Sequence, residues 1–537
     1  MRPGLRARVS VGQIGLPAAA FVFACAELVW QVRGRSWLLW DEAARVDAGQ
    51  GLAFALHSGS AVALWNWIND QTLYPFLSAA LNGLLIFLGA DPLTAAWIPS
   101  VTAYVAIGLL AARLAKVCGA SLFGQWLAAL LCWTAPLEAR LGAGAFAEPL
   151  GACAYLCLLL LIIAVYREPR ARTAILIAIV VAATSWMKWD YGIAALALVA
   201  IAGLTVPSGP IGVAARRMIA RSLFGGLALI AAWLAVNYRA KVAGLAYFGA
   251  QAVPGLGNHP LPDLAFYPRA LLTDPAVGLF PVVAAVMLAA VPLSAIRSRQ
   301  NASLRPVVTL VVILYVLYSA AVVRQPRYLG PMLPLLAVLV GVELEPALER
   351  AARLFRRSTP APAALAVAVI TLFAAQLPAL GTRLVGLAPN PTANVVSEYV
   401  REHIPRSGTV LLVGPTNEVS APGVELIRGH EQDRQAPVYH VPEAIPELRE
   451  PVFEETMARL RPVEVIAVCV QPGSRLDTSD YRAAWPSQRE YCRMVARMEE
   501  SGALTSTSRL ELEHGIVSVD IAVPSASPWP GASRAYL

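Results

Sequence analysis

The chain has 537 residues, of which 57% are hydrophobic and only 15% are charged, and its mean hydropathy is +0.57. This composition is too apolar for a soluble protein of this size, and the apolar residues form runs long enough to cross a bilayer. The net charge of +8 does not indicate nucleic-acid binding, because the arginines cluster at the ends of apolar runs, where membrane topology accounts for them. The composition therefore predicts a polytopic α-helical membrane protein.

Eleven apolar runs have the length of a membrane span, and we interpret the first of them as an uncleaved signal anchor. The runs cover residues 12–33, 95–113, 121–139, 146–166, 172–187, 191–206, 218–236, 275–297, 306–323, 329–343 and 362–381. A further run begins at Tyr74 but opens on Pro75 and ends early at Asp91 and Pro92. If this run spans the membrane, all later spans and loops have the opposite orientation to the one they have if it does not.

The distribution of basic residues indicates that the run at 74–90 does not span. Over residues 1–357, a non-spanning run puts 18 Lys and Arg residues in cytoplasmic loops and 10 outside, and a spanning run reverses these numbers. We therefore predict about 11 transmembrane helices, with juxtamembrane or re-entrant helices in the first outer loop. The N-terminus is expected inside and the C-terminal part outside, in the cytoplasmic membrane of a bacterium.

The chain becomes polar and charged from about residue 390. Buried strands are predicted at Thr409–Val413, in "VEVIAVCV" and in "GIVSVDIAV". We expect a transmembrane domain at 1–389 and a small extracytoplasmic α/β domain at 390–537, with a loose tail. The "VGPTNE" loop lacks the glycine spacing of a dinucleotide site. Cys469 and Cys492 are a possible pair if this part faces an oxidising compartment.

Two adjacent carboxylates follow the first span in "SWLLWDEAAR". Asp41 and Glu42 come directly after a short aromatic belt and begin an amphipathic stretch on the predicted outer side. One interpretation is an ordinary helix N-terminus, where acidic side chains favour the helix dipole. The second interpretation is that the two carboxylates do chemistry at the membrane surface. The later segment "QTLYPFL" favours it, because this segment extends the amphipathic surface.

Basic and acidic residues also lie at other predicted outer helix ends. Lys188, one of three lysines in the chain, lies between two tryptophans in "WMKWDYG", and Arg324 and Arg327 precede Tyr328. These cations either bind a phosphate or extend their charged groups to the membrane surface. Glu148 in "GAFAEPL" is either a site residue or a helix-start acid before Pro149.

Together these motifs resemble those of C-type integral-membrane glycosyltransferases, with protein O-mannosyltransferases and lipid A aminoarabinose transferases as the nearest types. The resemblance rests on the Asp41–Glu42 pair, on Tyr74 to Leu77 in place of the usual His-Pro-Pro-Leu, and on "RQPRYLGPMLPLLAVL". The layout of spans and a C-terminal α/β domain also fits.

The resemblance implies transfer of a sugar from a polyprenyl-phosphate carrier to a glycan, lipid or protein acceptor on the outer face. Asp41 matches the position of the catalytic base, with Glu42 as its neighbour or helix-cap support. Tyr74, Glu148, Lys188, Arg324, Arg327 and Tyr328 are the expected substrate-binding residues. We expect no cofactor, no metal and no nucleic-acid partner. The alternative is a polytopic flippase or transporter of the lipid carrier without transferase chemistry, although no internal repeat supports it.

Overall fold

The computed structural model describes residues 40–71, 75–144, 146–236, 263–274, 277–321, 324–354, 410–413, 438–440, 464–470, 488–512 and 517–524, with single positions between 15 and 26 and between 238 and 242. Over these ranges the first 354 residues are almost entirely helical. The first seven helices are α1 (Trp40–His57), α2 (Ala61–Asp70), α3 (Leu77–Phe87), α4 (Pro92–Val117), α5 (Leu122–Thr134), α6 (Pro136–Ala143) and α7 (Glu148–Arg167). The next seven are α8 (Ala171–Met187), α9 (Trp189–Leu204), α10 (Pro210–Ala235), α11 (Phe266–Thr273), α12 (Pro281–Arg297), α13 (Arg305–Ala320) and α14 (Leu333–Leu354).

Among the described helices, α4, α7 and α10 have both the length and the apolar composition of a membrane span. Six shorter apolar helices accompany them, namely α3, α5, α8, α9, α12 and α13. The helices confirm nine of the eleven predicted apolar runs as helical segments. The run at 362–381 lies outside the described residues, as does most of 12–33, so the count of eleven stays a prediction.

Two of the predicted spans differ from their expected bounds for reasons of backbone chemistry. The run at 121–139 is divided into α5 and α6, because Pro136 has no N–H to continue the helix and Ala135 before it is extended. The run at 329–343 starts later, at Leu333, because Pro326–Leu329 forms a 3₁₀ turn. This turn carries Arg327 and Tyr328.

The segment predicted to be the first outer loop folds into helices α1 and α2, and helix α3 follows them. Helices α1 and α3 cross where Gly49 meets Gly83, and a Cβ on Gly83 would lie 2.6 Å from the Gly49 carbonyl oxygen. The indole of Trp67 in α2 donates a hydrogen bond to the Ala48 carbonyl at 2.6 Å. These contacts hold α1 against its neighbours. At about 1.5 Å per residue, the eleven residues of α3 cover about 16 Å, which is roughly half of a hydrocarbon core.

The loops predicted to be cytoplasmic meet at one end of the helix bundle, which we call the basic end. There Arg167 donates to the Val117 carbonyl at 2.8 Å, Asn301 to the Cys118 carbonyl at 2.8 Å, and Arg305 to the Thr205 carbonyl at 3.3 Å. These donors satisfy carbonyls at helix C-termini that have no partner within their own helix. Helix α7 covers about 30 Å, so Glu148 at its start lies at the opposite end of the bundle.

The C-terminal part contains a five-stranded sheet with strand order β2-β1-β3-β5-β4. Its strands are β1 (Val410–Val413), β2 (Val438–His440), β3 (Glu464–Val470), β4 (Leu504–Leu512) and β5 (Val517–Pro524), and helix α15 (Gln488–Glu500) precedes β4. Strand β1 is parallel to β2 and β3, and β5 is antiparallel to β3 and β4. The three predicted strands are confirmed. A disulfide joins Cys469 in β3 to Cys492 in α15, although the division into domains at residue 390 stays a prediction.

The side of the membrane that each end faces is testable with single cysteines. Ser208 at the basic end and Ser501 after α15 are both exposed, so each is replaced by Cys in a chain without the five free cysteines. We expect a membrane-impermeant maleimide to label the cysteine at 501 in intact spheroplasts. The cysteine at 208 should react only after permeabilisation. The reverse pattern would contradict the predicted topology and would mean that residues 74–90 span the membrane.

Candidate functional site

Lys188 lies at the junction of two helices, at the end of the bundle opposite the basic end. Its backbone is extended between α8 and α9, with φ −159° and ψ 140°. Its Nζ lies 3.7 Å from Glu148 Oε1 and 3.7 Å from Asp190 Oδ2, and 4.5 Å from the centre of the Tyr328 ring. Only 22% of the side chain is exposed. Lys188 therefore points among acidic and aromatic groups of other helices and does not extend to the membrane surface.

Glu148 is the acidic centre of this cluster. It is the first residue of α7, and its side chain is 2% exposed. Its Oε1 lies 3.7 Å from Lys188 Nζ and 3.9 Å from Arg327 Nε. Removing a carboxylate from water is costly unless cations compensate its charge. Glu148 is therefore both a helix-start acid and an anchor that brings two cations together.

Arg327 and Tyr328 reach the cluster from the 3₁₀ turn before α14. The Arg327 guanidinium lies 5.8 Å from the centre of the Phe146 ring and 5.7 Å from that of Tyr328. Tyr328 in turn stacks on Tyr318, with ring centres 5.3 Å apart. The turn packs closely on its neighbours, because a Cβ on Gly330 would lie 2.5 Å from Leu141 Cδ1 and 3.4 Å from Glu148 Cβ. This packing limits where the guanidinium can lie.

Two opposing influences determine the pKa of Lys188. Burial lowers the pKa, whereas the charges of Asp190, Tyr328 and Glu148 raise it, and the second influence is larger despite the opposing charge of Arg327. The pKa of Lys188 is therefore raised above its usual value. The ammonium group stays charged across the physiological pH range.

Helix α1 connects the predicted catalytic carboxylates to this cluster. Arg45 in α1 is buried, and it interacts electrostatically with Tyr191, the residue after Asp190. Asp41 lies four residues before Arg45, and residues with this spacing share one face of a helix. The backbone of Asp41 and Glu42 lies in the first turn of α1, while their side chains lie outside the described part of the chain.

The tryptophans that flank Lys188 in the sequence form an aromatic wall with Phe76 and Trp233. The ring of Phe76 lies 5.4 Å from that of Trp186 and 5.8 Å from that of Trp233, and Trp189 stacks on Trp233 at 4.9 Å. Lys241 supports this wall, because its Nζ donates to the carbonyls of Trp233 at 2.9 Å and of Val236 at 2.5 Å. Lys241 therefore stabilises the C-terminal end of α10.

The structure brings four of the predicted site residues into contact: Glu148, Lys188, Arg327 and Tyr328. Arg324 is buried nearby, and its Nε donates to the Ser319 carbonyl at the end of α13 at 3.2 Å. Tyr74 lies outside the described residues. Within the described ranges, no group of three or more His, Cys, Asp or Glu residues is arranged to hold a metal ion.

Sequence reasoning missed three charged residues of this region. Asp190 follows Lys188 by two positions in "MKWDYG", and Arg45 follows Asp41 by one helical turn. Both were therefore detectable from their spacing to residues already predicted for the site. Glu138 had none, because its burial depends on packing. It is fully buried in α6, where the charge of Glu148 acts on it, and neither of its carboxylate oxygens hydrogen-bonds a described residue.

Comparison with known proteins identifies the fold. No protein-family model matches the chain, and no curated protein sequence is significantly similar to it. Among solved structures, ArnT from Cupriavidus metallidurans, a lipid A aminoarabinose transferase, matches over 94% of this chain and 98% of its own, with a TM-score of 0.55 and 13% identity. ArnT bound to undecaprenyl phosphate matches over 95% and 97%, with a TM-score of 0.56 and 13% identity.

Two further glycosyltransferases have the same architecture. The oligosaccharyltransferase of Archaeoglobus fulgidus matches over 87% of this chain and 71% of its own, with a TM-score of 0.56 and 12% identity. The arabinofuranosyltransferase AftD from Mycobacteria matches over 94% of this chain, with a TM-score of 0.52 and 17% identity. This chain covers 41% of the length of AftD. The chain thus has the C-type glycosyltransferase fold, as its motifs predicted.

The raised pKa of Lys188 predicts how this cluster responds to pH. A raised pKa means that the stability gained from the ammonium is complete below the ordinary lysine pKa, and is lost only as pH rises through the higher folded value. Between about pH 7 and pH 9, we expect thermal unfolding of the protein and of Lys188→Met to change in parallel. A loss of the difference in Tm between them within this window would contradict the assignment.

Proposed function

Because the chain has the C-type glycosyltransferase fold, we propose that it transfers a sugar from a polyprenyl-phosphate carrier to an acceptor on the outer face of the cytoplasmic membrane. The observation that carries the proposal is the cluster of Lys188 and Arg327 around buried Glu148. That ArnT binds undecaprenyl phosphate on a similar fold supports a carrier of this class.

Lys188 and Arg327 have the chemistry to hold the phosphate of the carrier. The Lys188 ammonium hydrogen-bonds none of the described residues, and its neighbouring carboxylate oxygens lie at 3.7 Å, so its donors remain available to a ligand. A guanidinium can bind two phosphate oxygens at once. Glu148 holds both cations at one place before the anion arrives, which reduces the ordering needed for binding.

The proposed reaction needs one proton acceptor. The oxygen of the acceptor hydroxyl forms a bond to the anomeric carbon of the sugar, and the bond from that carbon to the phosphate oxygen breaks. The hydroxyl proton passes to Asp41, and polyprenyl phosphate leaves with the bonding electrons. Asp41 is proposed as the base because it lies in the first turn of α1 and precedes Arg45 by one turn, and Arg45 interacts with Tyr191 beside the cluster.

Glu42 is proposed to support Asp41. Glu42 lies in the first turn of α1, where a negative charge is favoured by the helix dipole. Loss of Glu42 should therefore reduce the rate less than loss of Asp41.

The outer location of the site is supported by two independent features. Most exposed arginines of the described connecting segments lie at the basic end, away from Lys188, as the positive-inside rule requires of cytoplasmic loops, and only Arg239 and Arg269 of these segments are exposed between α10 and α12. The Cys469–Cys492 bond is typical of an oxidising compartment, which is where the C-terminal sheet would lie in this topology.

Replacement of Asp41 by Asn tests the catalytic base. We expect kcat to fall by at least about 100-fold, since general base catalysis contributes about 10²–10⁴-fold, while binding of the carrier is retained. The measurement is transfer from a radiolabelled polyprenyl-phosphate sugar by protein in nanodiscs. Asp47→Asn, a change in the same helix, is the matched control and should keep near-normal turnover. Near-normal turnover of the Asp41 variant would remove this residue from the mechanism.

Replacement of Lys188 or Arg327 by Ala tests the phosphate site. Each charge-assisted contact contributes about 1.5–3 kcal/mol, so the KM for the donor should rise about 10- to 150-fold. Lys116→Ala at the basic end is the control for loss of one lysine, because Lys116 is exposed there. Donor kinetics of each variant provide the measurement.

A double variant separates phosphate binding from simple charge compensation of Glu148. Lys188→Met with Glu148→Gln removes both partners of one ion pair and should recover the yield and Tm that Lys188→Met alone loses. We expect the donor KM of the double variant to stay raised. Recovery of wild-type donor kinetics would show that Lys188 only neutralises Glu148, and the phosphate-binding role would be lost.

A further inference from the structure

Helices α8 and α10 enclose an apolar groove that the proposed reaction does not use. The groove has a volume of about 580 Å³, which lies in the range of about 300–1,000 Å³ typical of ligand sites. Its walls include the exposed side chains of Ile175 and Ile179 from α8 and of Leu229 from α10. Among the described residues that line it, Arg221 alone is charged.

The charge lies at one end of the groove, towards the basic end of the bundle. Helices α8 and α10 both begin at that end and cross where Gly225 meets Ala178, with a built Cβ on Gly225 lying 3.1 Å from Ala178 Cβ. Arg221 lies one turn before Gly225, nearer to the basic end. Lys188 follows Ile179 by nine residues, about 13 Å further along α8 in the opposite direction.

Three cations near the groove have no acidic partner within the described residues. Arg172, Arg217 and Arg221 are all exposed, and no ion pair joins them to a described carboxylate, whereas their neighbour Arg170 pairs with Glu168. A basic surface beside an apolar groove between membrane helices is complementary to a lipid with an anionic headgroup. The charge and the shape of the groove point to the same kind of ligand.

We propose that this groove binds one anionic glycerophospholipid from the leaflet at the basic end. An acyl chain lies in the groove along Ile175 and Ile179, and the headgroup phosphate accepts hydrogen bonds from Arg221. The site differs from the proposed carrier site, since a carrier phosphate at Lys188 would leave Arg221 uncompensated at the far end of the groove. Lys188 directly follows α8, and Trp233 of the aromatic wall lies in the last turn of α10, so the lipid would join the two helices that support the cluster.

Native mass spectrometry of the full chain with added phosphatidylglycerol tests the site. Arg221→Gln should weaken binding of the first lipid by about 10-fold or more, as expected for one lost charge-assisted contact. Arg113→Gln is the matched control, because Arg113 is also exposed near the basic end but does not line the groove. This control should leave binding unchanged.

A second variant tests the groove without altering its charge. Ala228 lines the groove with an exposed side chain, so Ala228→Phe fills the space and should weaken phosphatidylglycerol binding while both helices stay packed. Equal binding of phosphatidylcholine and phosphatidylglycerol, or equal effects of the Arg221 and Arg113 variants, would overturn the proposal in favour of non-specific boundary lipid. One-for-one displacement by undecaprenyl phosphate would also overturn it and would assign the groove to the carrier.

Discussion

The end of the helix bundle opposite the basic end depends on a buried carboxylate that needs positive partners. Glu148 is almost inaccessible to water, and its charge is compensated by Lys188 and Arg327, which come from segments 40 and 179 residues further along the chain. Removal of one cation would leave the buried carboxylate with only the other to compensate its charge, and removal of both would be far more costly than the pairs are stabilising. Charge compensation of Glu148 therefore also places two positive groups close together, where an anionic ligand can bind them.

The rest of the helix bundle positions these three segments. Hydrogen bonds from Arg167, Asn301 and Arg305 to helix-terminal carbonyls tie the loops together at the basic end. Helices α7 and α8 then run from that end to Glu148 and Lys188, so their packing sets the separation of the two charges. The close contact of Gly330 with Leu141 fixes the turn that carries Arg327. The charged residues of the cluster lie at helix ends, and close packing around them restricts the conformations that their side chains can adopt.

The sequence was sufficient to predict most helices and to single out four residues that the structure brings together, because both have local signals. Apolar runs define helices, and Lys188, Glu148, Arg327 and Tyr328 lie at helix ends within short motifs. The alternative that Lys188 extends to the membrane surface depended on the direction of a side chain, which tertiary contacts decide. For the same reason, neither the burial of Glu138 nor the pairing of Cys469 with Cys492 followed from spacing. The break at Pro136, in contrast, was visible in the sequence and was overlooked.

A structure of the protein in nanodiscs with polyprenyl phosphate, determined by electron cryo-microscopy, tests the central claim most directly. We expect a phosphate oxygen within about 3 Å of both Lys188 Nζ and the Arg327 guanidinium, with the Asp41 carboxylate facing the same space. A phosphate bound elsewhere, with the contacts of Lys188 and Arg327 to Glu148 unchanged, would contradict it.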